Sequence, residues 1–148
     1  MTILDVAKID GTRYPAGRVT RPLVGGSSPL GDNDFKFGYV VLDPEGGQVP
    51  WHSHEPEEVY FVIEGRGEIC VGAERAEIRG GQMVHLPPGI FHQLTNVGRT
   101  PLVMLYCCGR GITLHGKQEL SGGLPAAGRD APELPAGARP QRASGPRS

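Results

Sequence analysis

A chain of 148 residues with 15 Lys and Arg against 16 Asp and Glu has room for one folded core but not for two domains of ordinary size. Its near-neutral balance, with no long block of like charge, argues against nucleic acid or an anionic membrane as partner. No stretch approaches the ~20 apolar residues of a membrane span, and residues 1–17 lack the apolar centre of a secretion signal, so a cytoplasmic protein is expected.

Residues 1–34 hold one weak strand, Arg18 to Val24, and a loop through Gly25, Gly26, Ser27, Ser28 and Pro29. They are expected to form an N-terminal arm or edge strand, available for pairing with a second copy. Period-two alternation then appears in Phe35, Phe37, Tyr39 and Val41, and again in Val59, Phe61 and Ile63, which predicts strands. Turns are expected at Asp43 to Gly47 and Glu64 to Gly67, where glycine takes conformations that bulky residues resist. Further short strands are predicted at Glu68 to Val71, Arg75 to Ile78, Gln82 to Leu86, His92 to Asn96 and Leu102 to Cys107. With 23 glycines, 14 prolines and no helix-period pattern before Gly111, residues 35–115 read as one all-β domain of the sandwich or jelly-roll type. From Leu120 the composition shifts to Pro, Gly, Ala and Arg without periodicity, so residues 116–148 are expected to be an extended or unordered C-terminal extension, able to lie against the barrel or a partner chain. Cys70, Cys107 and Cys108 are a poor disulfide framework and fit a reducing compartment.

Two constellations carry chemistry. In the first, His52 and His54 stand two apart on a strand and so point to one face, where two imidazoles can converge on an ion. Glu58, after the kink at Pro56, can add an oxygen donor. In the second, the turn Pro87, Pro88, Gly89 aims His92 back toward the sheet, with Asn96 following as either a turn-stabilising side chain or a ligand contact.

The spacing from Gly46 through His52, His54 and Glu58 to Gly65, paired with that from Gly81 through Pro87, Gly89 and His92 to Asn96, resembles the two signature motifs of the cupin superfamily. The resemblance implies a double-stranded β-helix jelly roll in which His52, His54, Glu58 and His92 ligate one divalent metal. His85, two residues before Pro87, stands where aromatic or aliphatic residues are more familiar. It is either a further imidazole on the ion, beside Glu58 or displacing it, or a pocket-lining or outward-facing side chain. His115 and the three cysteines are expected at the surface and in the core, respectively. Trp51, Tyr39, Tyr60, Phe91, Met104 and Tyr106 are open to either a pocket or ordinary core packing. Glu55, Glu57 and Arg66 are expected in solvent.

Imidazole and carboxylate donors suit several ions; zinc is expected first, with nickel, iron or manganese as alternatives. The runs Gly46 to His52, Glu57 to Phe61 and Phe91 to Asn96, with the tail from Leu124 to Gln141, resemble small stand-alone bacterial cupins, among them the resistomycin-type aromatic polyketide cyclases. That resemblance implies intramolecular aldol ring closure on a polyketide or aromatic small molecule, with Glu58, if unligated, or a metal-bound hydroxide as the base. Two other readings follow from the same superfamily: a dioxygenase resembling quercetinases, and a non-catalytic ligand-binding cupin. A homodimer is expected in each case.

Overall fold

Short alternating segments, each closed by glycine, proline or a polar turn, give eleven strands and no α-helix among the described residues. The computed structural model describes residues 1–31, 34–110 and 131–142, and the backbone of 114–115. A 3-10 turn at Val6–Lys8 is capped by the Asp5 side chain, which accepts from the Ala7 amide at 3.0 Å. There follow β1 (Thr12–Tyr14), β2 (Arg18–Val24), β3 (Phe35–Leu42), β4 (Gln48–His54), β5 (Glu58–Glu64), β6 (Arg66–Val71), β7 (Glu74–Arg79), β8 (Met83–Leu86), β9 (His92–Asn96), β10 (Leu102–Gly109) and β11 (Leu114–His115). All pairings are antiparallel, in one sheet of order β1-β2-β3-β10-β5-β8 and another of order β11-β4-β9-β6-β7. This is the expected all-β jelly roll.

The two sheets close on a core of Val40, Leu42, Val49, Tyr60, Val62, Ile69, Ile78, Leu86, Leu94, Leu102 and Met104. Each such side chain taken out of water contributes about 1.5–3 kcal/mol before entropy is counted. The apolar alternation locates β3 and β5, but it marks their outward faces. Val40 and Leu42 are buried while Phe35 is 45% exposed; Tyr60 and Val62 are buried while Phe61 and Ile63 are 42% and 43% exposed. Gly38 on β3 lies opposite Tyr106 on β10, and a Cβ there would overlap the tyrosine ring, so the missing side chain is what lets the ring lie across the neighbouring strand.

The outer face of the second sheet carries polar side chains that are fully buried, Gln48 and Gln93 among them. Residues 131–142 cover them. Trp51 Nε1 donates to the Pro132 carbonyl at 2.9 Å, Gln93 Nε2 to Arg139 O at 2.8 Å and Gln48 Nε2 to Pro140 O at 3.2 Å. In return the amides of Arg139 and Arg142 donate to Glu68 Oε1 at 2.6 Å and Gln48 Oε1 at 2.9 Å. This part of the C-terminal extension is therefore an ordered strap, held through its main chain and by the Arg142 guanidinium, which donates to the Ala16 and Gly46 carbonyls. The rest of the extension expected at 116–148 lies outside the described residues.

Candidate metal centre

The centre begins with an extra residue in β4. Val49 pairs with Leu94 and His52 with His92, so three steps along β4 match two along β9. The irregularity falls at Pro50 and Trp51, where a proline without an amide suits a bulge. Val49, His52 and His54 consequently face the barrel interior and line its cavity, while Trp51 turns outward to the strap and packs on Phe91 with ring centroids 5.5 Å apart. His92 enters from β9 opposite His52, with ring centroids 4.2 Å apart. Glu58 arrives from the other sheet, at the first position of β5.

One nitrogen and oxygen set emerges. Donor atoms of His52, His54, Glu58 and His92 all lie within 4.8 Å of one another, and all four side chains are buried. Each imidazole is tethered at Nδ1 to a backbone carbonyl: His52 to Pro50 O at 2.7 Å, His54 to Pro56 O at 2.8 Å and His92 to Ile90 O at 3.0 Å. A carbonyl only accepts, so Nδ1 carries the proton and the neutral ring offers a lone pair at Nε2. Glu58 Oε2 lies 2.8 Å from His54 Nε2 and 3.3 Å from His92 Nε2, and the latter is buried without a hydrogen-bond partner. Lone pairs facing a carboxylate at such distances call for a proton or a cation between them. Three imidazole nitrogens and one carboxylate oxygen that could converge at about 2.0–2.2 Å fit a divalent transition metal.

The electrostatics agree. Burial pushes the Glu58 carboxyl upward, but hydrogen bonding and charge on the side of His54 and His92, which a proton or a cation between the groups supplies, outweigh it and hold it at about 2. Tyr60, fully buried beside the centre, is pushed well above the usual tyrosine range, first by burial and then by Glu58. Tyr106 is raised to about 12, again by burial first and Glu58 second. Both hydroxyls therefore keep their protons at neutral pH.

His85 does not join the set. On β8 it pairs with Val59 and its neighbour Leu86 pairs with Glu58, so the residue beside it takes the inward face. Its side chain is 51% exposed, with Nε2 2.9 Å from Glu57 Oε2. The fourth imidazole considered from the sequence is an outward-facing surface residue. Asn96 is structural: its Nδ2 donates to Leu42, Asp43 and Thr100 carbonyls at 3.1, 3.0 and 2.8 Å, and its Oδ1 accepts from the Gly98 amide at 2.9 Å. None of the three cysteines is in a disulfide among the described residues, and Cys70 and Cys108 are buried.

A cavity of about 200 Å³ opens onto the donors. Of the aromatic and apolar candidates, Tyr60, Met104 and Tyr106 line it. Tyr14, Arg18, Thr20 and Lys36 line it too; the place of the first three depends on β1 and β2 joining β3 at long range, and Lys36 stands on the face of β3 opposite its apolar alternation.

Comparison with known proteins agrees with this geometry: the family profile described as cupin domain matches residues 38–108. The chain belongs to the cupin superfamily. An uncharacterised protein of Streptomyces coelicolor is 35% identical over 76 residues, covering 51% of this chain and 71% of that one. One from Methanocaldococcus jannaschii is 35% identical over 68 residues, covering 45% and 54%, so the chain spans about half the length of that relative. Among solved structures, the polyketide cyclase RemF from Streptomyces resistomycificus superposes with a TM-score of 0.66 at 20% identity, over 77% of this cupin and 83% of RemF. Partial alignments also reach a dimethylsulfoniopropionate lyase of Ruegeria pomeroyi and an acireductone dioxygenase of Puccinia graminis, over 35% and 28% of their lengths. Relatives of this cupin thus include enzymes of different chemistry on one fold.

Proposed function

We propose that this cupin is a metal-dependent enzyme that closes a carbon ring by an intramolecular aldol reaction on a polyketide or aromatic precursor. The observation that carries the reading is the buried convergence of three Nδ1-tethered imidazoles and Glu58 on one point at the floor of a cavity. A divalent ion held there, zinc first, would polarise a substrate carbonyl and acidify the adjacent carbon.

The chain's own groups supply the rest. Of the two roles open to Glu58, its place between two imidazoles supports that of donor to the ion rather than of free base. The protonated Tyr60 and Tyr106 hydroxyls can donate hydrogen bonds to a developing enolate oxygen. Val40, Val49 and Met104 exclude water from the same wall. The cavity is smaller than the ~300–1,000 Å³ of pockets that enclose a whole ligand, so it would hold the reacting segment of a longer chain in a ring-closing conformation, the contribution that orientation makes to rate.

The homodimer expected from the sequence belongs to this proposal. Its pairing surface would be the outer face of the first sheet, where Phe61, Ile63 and Met83 are 42%, 43% and 61% exposed, and sedimentation as a monomer would remove it.

Elemental analysis of protein purified without added metal, followed by turnover of a poly-β-ketone mimic under nitrogen, tests the function. Ring closure that is lost on chelation and restored by zinc is the expected result. Oxygen uptake in air with no anaerobic turnover would replace this reading with the dioxygenase, and ligand affinity without turnover would replace it with the binding module.

A further inference from the structure

Two of the three imidazole tethers close around an aromatic residue. The bond from His52 Nδ1 to Pro50 O encloses Trp51, and that from His92 Nδ1 to Ile90 O encloses Phe91. The third, from His54 Nδ1 to Pro56 O, encloses the exposed Glu55. Trp51 is 2% exposed and Phe91 half-buried, and their rings pack on each other with planes 44° apart. His52 and His92 face each other across β4 and β9, so this one aromatic pair backs both of their tethers from outside the barrel.

The ladder between β4 and β9 passes over Pro50 and Trp51, and proline has no amide by which to be pinned. The direction of the Pro50 carbonyl therefore depends on what holds Trp51 in the bulge. Its ring is held by Phe91. Its indole N–H, which only donates and is costly to bury without an acceptor, is held by the Pro132 carbonyl of the strap. The strap is in turn bonded to Gln48 on β4 and Gln93 on β9, on the two strands that carry His52 and His92. A continuous chain of contacts thus runs from the strap through Trp51 and Phe91 to the two carbonyls that aim the imidazoles inward.

We propose that the strap tunes the metal centre from outside the barrel: seating of residues 131–142 on Trp51 raises the affinity of His52, His54, Glu58 and His92 for a divalent ion. Trp51 and Phe91 are the positioning residues through which it acts. The proposal rests on reading those four side chains as a metal centre. Coupling of this kind is reciprocal, so the strap is held more firmly on β4 and β9 when the centre is loaded.

Zinc affinity of the chelator-treated, full-length protein, measured by competition with a chromophoric chelator, tests one direction. Hydrogen exchange at the Arg139 and Arg142 amides, which donate to Glu68 and Gln48, tests the other. Groups that orient a metal ligand are worth about 10–100-fold in affinity. Trp51→Phe keeps a ring on Phe91 but removes the donor to Pro132, and it is expected to weaken zinc binding about tenfold, as is Phe91→Leu. Ile78→Val, in the core on β7, which carries none of the donors, is a control that lowers stability without changing zinc affinity. Saturating zinc should slow exchange at the two strap amides about tenfold beyond any slowing in β7, the same factor by linkage. Circular dichroism checks that each variant folds, and Phe91→Leu reads the coupling on its own if Trp51→Phe does not. Wild-type zinc affinity in the folded variants overturns the proposal and leaves the metal reading standing. So does an equal loss of affinity in Ile78→Val, or strap exchange that zinc slows no more than exchange in β7. Absence of zinc binding by the wild-type protein overturns the metal reading, and the proposal with it.

Discussion

His92 and His85 make a direct contrast at the scale of single residues. Both are histidines near the Pro87–Gly89 turn, yet one is 1% exposed with Nε2 facing Glu58 and the other is 51% exposed against Glu57. Groups that only orient a metal ligand are worth about 10–100-fold in affinity, so loss of a direct donor in His92→Ala is expected to weaken zinc binding by more than about 100-fold. His85→Ala should leave both stoichiometry and affinity unchanged. Competition with a chromophoric chelator checks both, and loss of metal from the His85 variant would return that residue to the donor set. Gly38 supplies a second prediction. Because a Cβ at this position meets the Tyr106 ring and hydroxyl, Gly38→Ala must displace the ring or the strand, at a cost of about 1–3 kcal/mol for an overpacked site. Urea unfolding measures it, and Gly38→Ala combined with Tyr106→Phe should recover little, since the ring itself is in the way.

Between strands and their partners, the part legible in the sequence is the part governed by local rules. Turn residues and alternation place β2 and β9 to their residue bounds and β3, β5 and β10 closely, because strand and turn preferences act over a few residues. The spacing of His52, His54, Glu58 and His92 is legible for the same reason. What is not legible depends on pairing. The face that His85 takes is decided by Val59 across the ladder, the outward position of Phe35 and Phe61 by which sheet the core lies behind, and the cavity lining by Tyr14 and Arg18 by the joining of β1 and β2 to β3. The strap is the extreme case. It has no periodicity to read, and its partners Gln48, Trp51, Glu68, Arg75 and Gln93 are scattered over three dozen or more residues of other strands. Its role is testable by stopping the chain before Ala131. Truncation uncovers the outer face of β4 and β9, on whose inner face His52 and His92 stand, so unfolding should shift to lower temperature. Gln93→Leu, which removes the donor to the part-buried Arg139 carbonyl, should cost about 0.5–1.5 kcal/mol. An unchanged melting temperature in both variants would mean that the strap contributes nothing to the sheet beneath it.

At the scale of the whole molecule, the two sheets of the described residues share an apolar core and, next to it, the four donors. His52, His54 and His92 belong to the sheet containing β4 and β9, and Glu58 to the sheet containing β5. An ion bound by all four joins the sheets across the barrel, and it also removes the repulsion among the Nε2 lone pairs and the Glu58 carboxylate. Binding that requires the folded donor arrangement stabilises by mass action, about 2.7 kcal/mol at a free metal concentration 100 times the dissociation constant and about 1.4 kcal/mol more for each further tenfold. The urea midpoint should therefore rise with the logarithm of free zinc in the wild-type protein, at constant slope of the transition. In Glu58→Gln the rise should begin at higher zinc, because a neutral amide oxygen replaces the charged donor that reaches across from the other sheet, while His85→Ala should follow the wild-type curve. A midpoint indifferent to zinc in the wild type would show that the four side chains do not bridge the sheets through an ion. A Glu58→Gln curve superimposed on the wild type would confine binding to the three histidines of one sheet and release Glu58 for proton transfer.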